Sequence, residues 1–306
     1  MFVYPLTIPD RPSMSSVSSL SAPQRQAEPL WSLTTSGAVR SLCLARESGW
    51  LLVRDENHWL YLLNRAGDRQ AQVHAPKELT ACACADDSSA FVTGGREGDI
   101  WWLAPDLMPR WQRSLGQRIE TLAVDPLGQY VAVADTGGGL SLLTRKGHLV
   151  WKVQTPRGLR HLAFIPEAPF LIGCADFGLV ASFDTGGSMV WRDGLVAHVG
   201  SLAVNGDGST IALACFGDGL CRYSLKDSRP RRQALADPCC LAVLSYDGRL
   251  VLTTGLSPGL GLLDAHGHVR GDYRLDEVAV ALALSPLADR AVAGTASGRV
   301  HCLKWR

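Results

Sequence analysis

Net charge is what this sequence has least of: 30 Lys+Arg stand against 29 Asp+Glu in 306 residues, leaving +1. A chain so balanced has no long-range field for drawing in nucleic acid or an anionic membrane surface, and neither is expected as a partner. Charged residues make up only 19% of the chain and apolar ones 46%, which excludes disorder for most of its length. Long hydrophobic runs are also missing. The longest candidate, residues 278–288, contains Ser285 and Pro286 and falls well short of the roughly 20 residues that cross a bilayer as a helix. The first 26 residues lack the cationic start and unbroken apolar stretch of a secretory signal. The nine cysteines are an odd number, and most, such as Cys43, Cys82, Cys84, Cys221 and Cys302, sit inside apolar runs. They read as reduced thiols packed in a core, and the expected location is cytoplasmic.

Residues 1–26 read as a disordered Ser/Pro-rich tail. Pro5, Pro9, Pro12 and Pro23 break any helix, and six serines between positions 13 and 21 leave too little apolar surface to order the segment. Its first residues, Phe2, Val3, Tyr4 and Leu6, form a short apolar docking segment for a partner.

From Gly37 to Arg306 the chain stacks in rows of forty without a gap. One column reads Leu60, Ile100, Leu140, Val180, Leu220, Leu260, Val300; another reads Leu63, Leu103, Leu143, Phe183, Tyr223, Leu263, Leu303. Eight of the forty columns are apolar in all seven rows, where composition alone would give about 0.2. Each row holds three short apolar runs and a more polar fourth. In the third row these are residues 119–124, 130–134, 140–144 and 149–153, separated by Asp-Pro-Leu-Gly, Asp-Thr-Gly-Gly-Gly and Lys-Gly turns. Runs this short between Gly, Pro and Asp are strands, and four strands in forty residues make one propeller blade. The expected fold is all-β, a seven-bladed β-propeller over residues 27–306.

The last row ends after three strands. The outer-strand column reads Ala71, Trp111, Trp151, Trp191, Arg231, Gly271, and forty residues before Ala71 stands Trp31. The segment around Trp31 is therefore expected to supply the outer strand of the last blade and close the ring, removing two exposed sheet edges.

The pattern resembles WD40-type propellers. Val124-Asp125-Pro126, Phe164-Ile165-Pro166 and Leu284-Ser285-Pro286 are similar to the phrase that follows the inner strand in that family, and Asp207-Gly208 and Asp247-Gly248 to its next turn. The Trp-Asp pair is absent from all seven rows, and so is the Gly-His pair ahead of the inner strand. Gly147-His148-Leu149-Val150-Trp151 and Gly187-Ser188-Met189-Val190-Trp191 resemble quinoprotein-type repeats instead. The subtype stays open between the two.

Candidate chemistry is sparse. Residues entering the inner strands, Arg40, Thr80, Glu120, Arg160, Gly200, Cys240 and Val280, should ring one end of the channel, and only Glu120 among them is a carboxylate. Adjacent Cys239 and Cys240 resemble the vicinal disulfide of quinoprotein alcohol dehydrogenases, but two small packed residues are the simpler reading. Cys82-x-Cys84 lacks zinc-site spacing. His266-Gly267-His268 reads as a solvated turn. No nucleophile elbow or phosphate loop occurs. Arg118, Arg157 and Arg160, with His161, His198, Phe177 and Phe216, form a basic and aromatic sector on one face, the mixture that interface hot spots favour.

These readings point to a non-enzymatic protein-interaction platform, a scaffold or accessory subunit of a multiprotein complex. No catalytic residue, metal, cofactor or small-molecule ligand is expected. The alternatives are a quinoprotein-like or hydrolytic propeller enzyme and a small-ligand sensor using the central channel.

Overall fold

A computed structural model describes residues 24–194, 197–235 and 237–306. The described chain contains no helix and forms seven four-stranded antiparallel sheets. Blade one runs outward through Val39–Leu44, Leu51–Asp55, Trp59–Leu63 and Arg69–His74. The inner strands of blades two to seven are Leu79–Cys84, Ile119–Val124, His161–Phe164, Val199–Val204, Leu241–Leu244 and Ala279–Leu284. Each touches the next, and the last touches the first, so the blades stand in a closed ring. This is the β-propeller that the forty-residue period predicts.

Closure is made by Ala27–Thr34, the outer strand of blade seven, which pairs antiparallel with Arg299–Trp305. Trp31 lies opposite Cys302 in that ladder. The Gln26 N–H donates to the Arg306 carbonyl at 3.1 Å, and the Arg306 N–H returns the bond to Gln26 at 2.9 Å. Trp31 and Leu33 pack on a cluster that joins Val39, Leu51 and Leu63 of blade one to Val292 and Val300 of blade seven. The ring is thus fastened by hydrogen bonds within one blade and by apolar burial between two.

Between blades the core is built strand on strand, with second and third strands buried almost throughout. Outer strands show a second device. The rings of Trp31, Trp111 and Trp151 lie over Gly67, Gly147 and Gly187, which sit in the outer hairpin turns of the following blades with positive φ. Any Cβ at Gly67 or Gly187 would come within 2.9 Å of the indole ring, so these turns need glycine both for space and for backbone sign. The Trp111 and Trp151 indole N–H groups donate to the carbonyls of Arg145 and Thr185, each at 2.8 Å. Blade five has Arg231 at this position and blade six has Gly271.

Strand direction alternates, so all turns fall on two faces. The entry face carries the loops into the inner strands and the turns between second and third strands. The exit face carries the remaining turns.

Candidate interaction surface

On the entry face, blade four presents its Asp176-Phe177-Gly178 turn. Asp176 is the hub. It accepts from Arg160 at 2.6 Å and from the Val199 N–H at 3.0 Å, and lies 3.3 Å from His198 Nδ1. Burial pushes the Asp176 carboxyl up, but the Val199 N–H and the Arg160 guanidinium outweigh it and hold it below the usual carboxylate value. Arg160 also reaches Glu120 at 3.4 Å. This arginine therefore stands between two carboxylates.

Phe177 is the adjacent residue. It has a positive φ of 51° and is 53% exposed. A bulky side chain in left-handed backbone costs roughly 1–2 kcal/mol, and here the strained residue carries an aromatic ring that lies out in solvent. The ring lies 6.2 Å from that of His198. The Phe177 N–H donates to Ala197 and the Phe216 N–H to His198, so both phenylalanines hang on one loop. Phe216 is exposed, as are Leu256 and Val280 farther round the ring. Arg157 is exposed, with its guanidinium beside Gly178.

The structure thus brings together Arg157, Arg160, Phe177, His198 and Phe216. Arg118 is exposed one blade away, beside Glu120, in a depression of about 580 Å³ that also takes in Arg40, Arg54 and Thr80. His161 faces inward: it is half-buried, its Nε2 lies 3.1 Å from the Val199 carbonyl, and burial lowers its basicity. It ties blade four to blade five. Phe2, Val3, Tyr4 and Leu6 lie outside the described residues.

The channel holds thiols that sequence spacing does not bring together. Cys43 Sγ and Cys82 Sγ are 3.4 Å apart, with Ser41 Oγ 3.2 Å from Cys82. The hydrogen bond with Cys43, helped by the Arg54 charge and Ser41, pulls the Cys82 thiol down, while Cys43 is pushed up by the same bond and by burial. Burial pushes Cys84 up. All nine cysteines are free thiols, Cys239 and Cys240 included. Among the described residues no group of three or more His, Cys, Asp or Glu is placed to hold a metal ion, and no helix is long and apolar enough to cross a membrane.

A second arginine cluster, at the exit-face rim of blade five, escapes a reading by motif. Its signal was the run Lys226-Asp227-Ser228-Arg229-Pro230-Arg231-Arg232, together with an arginine at position 222 in an otherwise apolar or small-residue column. Arg222, Arg229, Arg231 and Arg232 line one groove there.

No family model and no curated protein matches the chain.

Proposed function

We propose that this propeller is a non-enzymatic interaction platform, an accessory or scaffold subunit that binds a partner protein across the entry face of blades four and five. The observation that carries the reading is Phe177: an exposed aromatic in strained backbone, beside a second exposed phenylalanine and the ion-paired but half-exposed Arg160. Strain kept at an exposed side chain is a feature of sites under functional demand, and aromatic rings beside arginine are the residues that dominate binding energy at interfaces. The gap-free repeat supports the same conclusion, since it leaves the turns short and the disc rigid. The nine free thiols fit a reducing compartment, and we place the protein in the cytoplasm on that ground. The docking of Trp on Gly between neighbouring blades favours the quinoprotein-like side of the repeat resemblance.

The test is quantitative capture of partners from native extract by the full chain and by a Phe177→Ala/Phe216→Ala double variant. The partner set held by the parent should be lost from the variant while the melting temperature changes by no more than about 2 °C, as expected for exposed positions. Undiminished capture by the variant would move the interface elsewhere.

A further inference from the structure

Blade five departs from its neighbours where its third and outer strands meet blade six. The third-strand position that holds Leu62, Trp102, Leu142, Ser182, Leu262 and Cys302 elsewhere is buried in all six of those blades. In blade five it is Arg222. Directly opposite, in the outer strand, stands Arg231, in the place of the tryptophan that wedges other blade pairs. Two like charges facing each other across a ladder repel. Arg229 and Arg232 flank them, and the four line a groove of about 520 Å³ with Ser224 and His266 at its rim.

The charges inside the groove are poorly matched by the protein itself. Arg222 Nη2 reaches only a backbone carbonyl, that of Asp264, at 3.4 Å, and its Nε is buried without a partner. The Asp264 carboxylate is engaged elsewhere. It takes Arg270 at 3.0 and 2.5 Å and the N–H groups of His266 and His268 at 2.8 and 3.0 Å. Arg232 meets Asp218 at 3.4 Å, whereas among the described residues no carboxylate lies within 4.0 Å of the guanidinium of Arg222, Arg229 or Arg231. Asp227 lies in the groove, with one oxygen accepting from the Arg229 N–H. Burial lowers the Arg222 guanidinium from its ordinary value. The Asp264 charge acts against that shift without touching the guanidinium, and a half-buried cation with no carboxylate in contact is destabilising unless something supplies a counter-charge.

A ligand that offsets this charge would be anionic, and the donors narrow its chemistry. Several arginines lining one groove suit the tetrahedral, multiply accepting oxygens of phosphate. A phosphate monoester carries about −1.5 to −2 at neutral pH, a closer match to this excess than one carboxylate. Arg222 lies one strand in from the rim, so the anion has to project inward on a short arm. No large exposed apolar side chain lines the groove to enter a bilayer beside it.

We propose that this groove binds a phosphate monoester carried on a phosphorylated serine or threonine side chain of a partner segment, with Arg222 as the floor donor and Arg229 and Arg231 closing over it. The assignment of the source rests on the reading of the chain as a binder of proteins. The groove lies on the exit-face side of the rim and Phe177 and Phe216 on the entry face, so the two surfaces can be disabled separately.

The experiment titrates the full chain with acetyl-Ala-phosphoserine-Ala-amide, with its unphosphorylated counterpart, and with phosphatidylcholine vesicles containing a phosphatidylinositol monophosphate. The phosphopeptide should bind saturably, be displaced by inorganic phosphate, and weaken as salt rises; the unphosphorylated peptide and the vesicles should not bind. Arg222→Leu, which restores the residue found in blades one, three and six, should weaken phosphopeptide binding at least tenfold, and Arg231→Gln should weaken it in the same direction. Phe177→Ala/Phe216→Ala should leave it unchanged. Equal binding of the two peptides, parent-like binding by Arg222→Leu, or capture of the vesicles in place of the peptide would each overturn the proposal.

Discussion

Two arginines in this propeller occupy opposite electrostatic situations. Arg160, on the entry face, lies between Asp176 and Glu120 with its side chain about half exposed. Arg222, on the rim of blade five, sits deeper, in a column of buried residues, and finds only a carbonyl. Near-zero net charge hides this contrast completely. Charge balance over a whole chain says little about balance at a site, because a charge acts over a Debye length of about 8–10 Å and its desolvation is more local still. The first arginine is held by the fold. The second is tolerated by it, at a cost that a ligand would offset.

Substitutions can break or sharpen that contrast. The largest effect is expected from Asp176→Ala. It removes the acceptor of the Val199 N–H and strips Arg160 of its nearer partner, and unfolding free energy should fall by about 2–3 kcal/mol, measurable by urea denaturation. Next comes Arg222→Leu. Exchanging an uncompensated half-buried cation for an apolar side chain should raise stability by about 1–2 kcal/mol, seen as a higher denaturation midpoint in phosphate-free buffer. Phe177→Gly should also stabilise, by up to about 1 kcal/mol, because glycine accepts the positive φ at that turn, while partner capture declines.

The pH dependence is smaller and has a definite sign. The Asp176 carboxyl is depressed in the folded protein relative to its ordinary 3.8. Its contribution is therefore fully present above about pH 4–5 and is lost as pH falls through the depressed folded value. The stability gap between the parent and Asp176→Ala should be constant near neutrality and close in acid. A gap that widens in acid would mean that Asp176 is not the charged partner of Arg160. The smallest effect is expected from Arg160→Leu, a loss of no more than about 1 kcal/mol, since that pair is solvent-screened.

The forty-residue period made the blades, their order and the closing role of Trp31 legible, because strand length, turn chemistry and burial repeat together and reinforce each other. What it left hidden is which charges meet. The partners of Arg160 lie 40 residues before it and 16 after it, brought together by neighbouring loops. The Cys43–Cys82 contact likewise joins inner strands of two blades and leaves no spacing motif. Arg222 was visible in principle. It interrupts a column of Leu, Trp, Ser and Cys, and an interruption in a repeat is the place where local physics has been given up for something else. Reading the columns only for what they share passes over it.

The most direct measurement of the contrast between the two arginines places Arg160→Leu and Arg222→Leu side by side in urea denaturation without phosphate. The two midpoints should be displaced in opposite directions, lower for Arg160→Leu and higher for Arg222→Leu. Destabilisation of both, with the greater loss at position 222, would contradict that contrast.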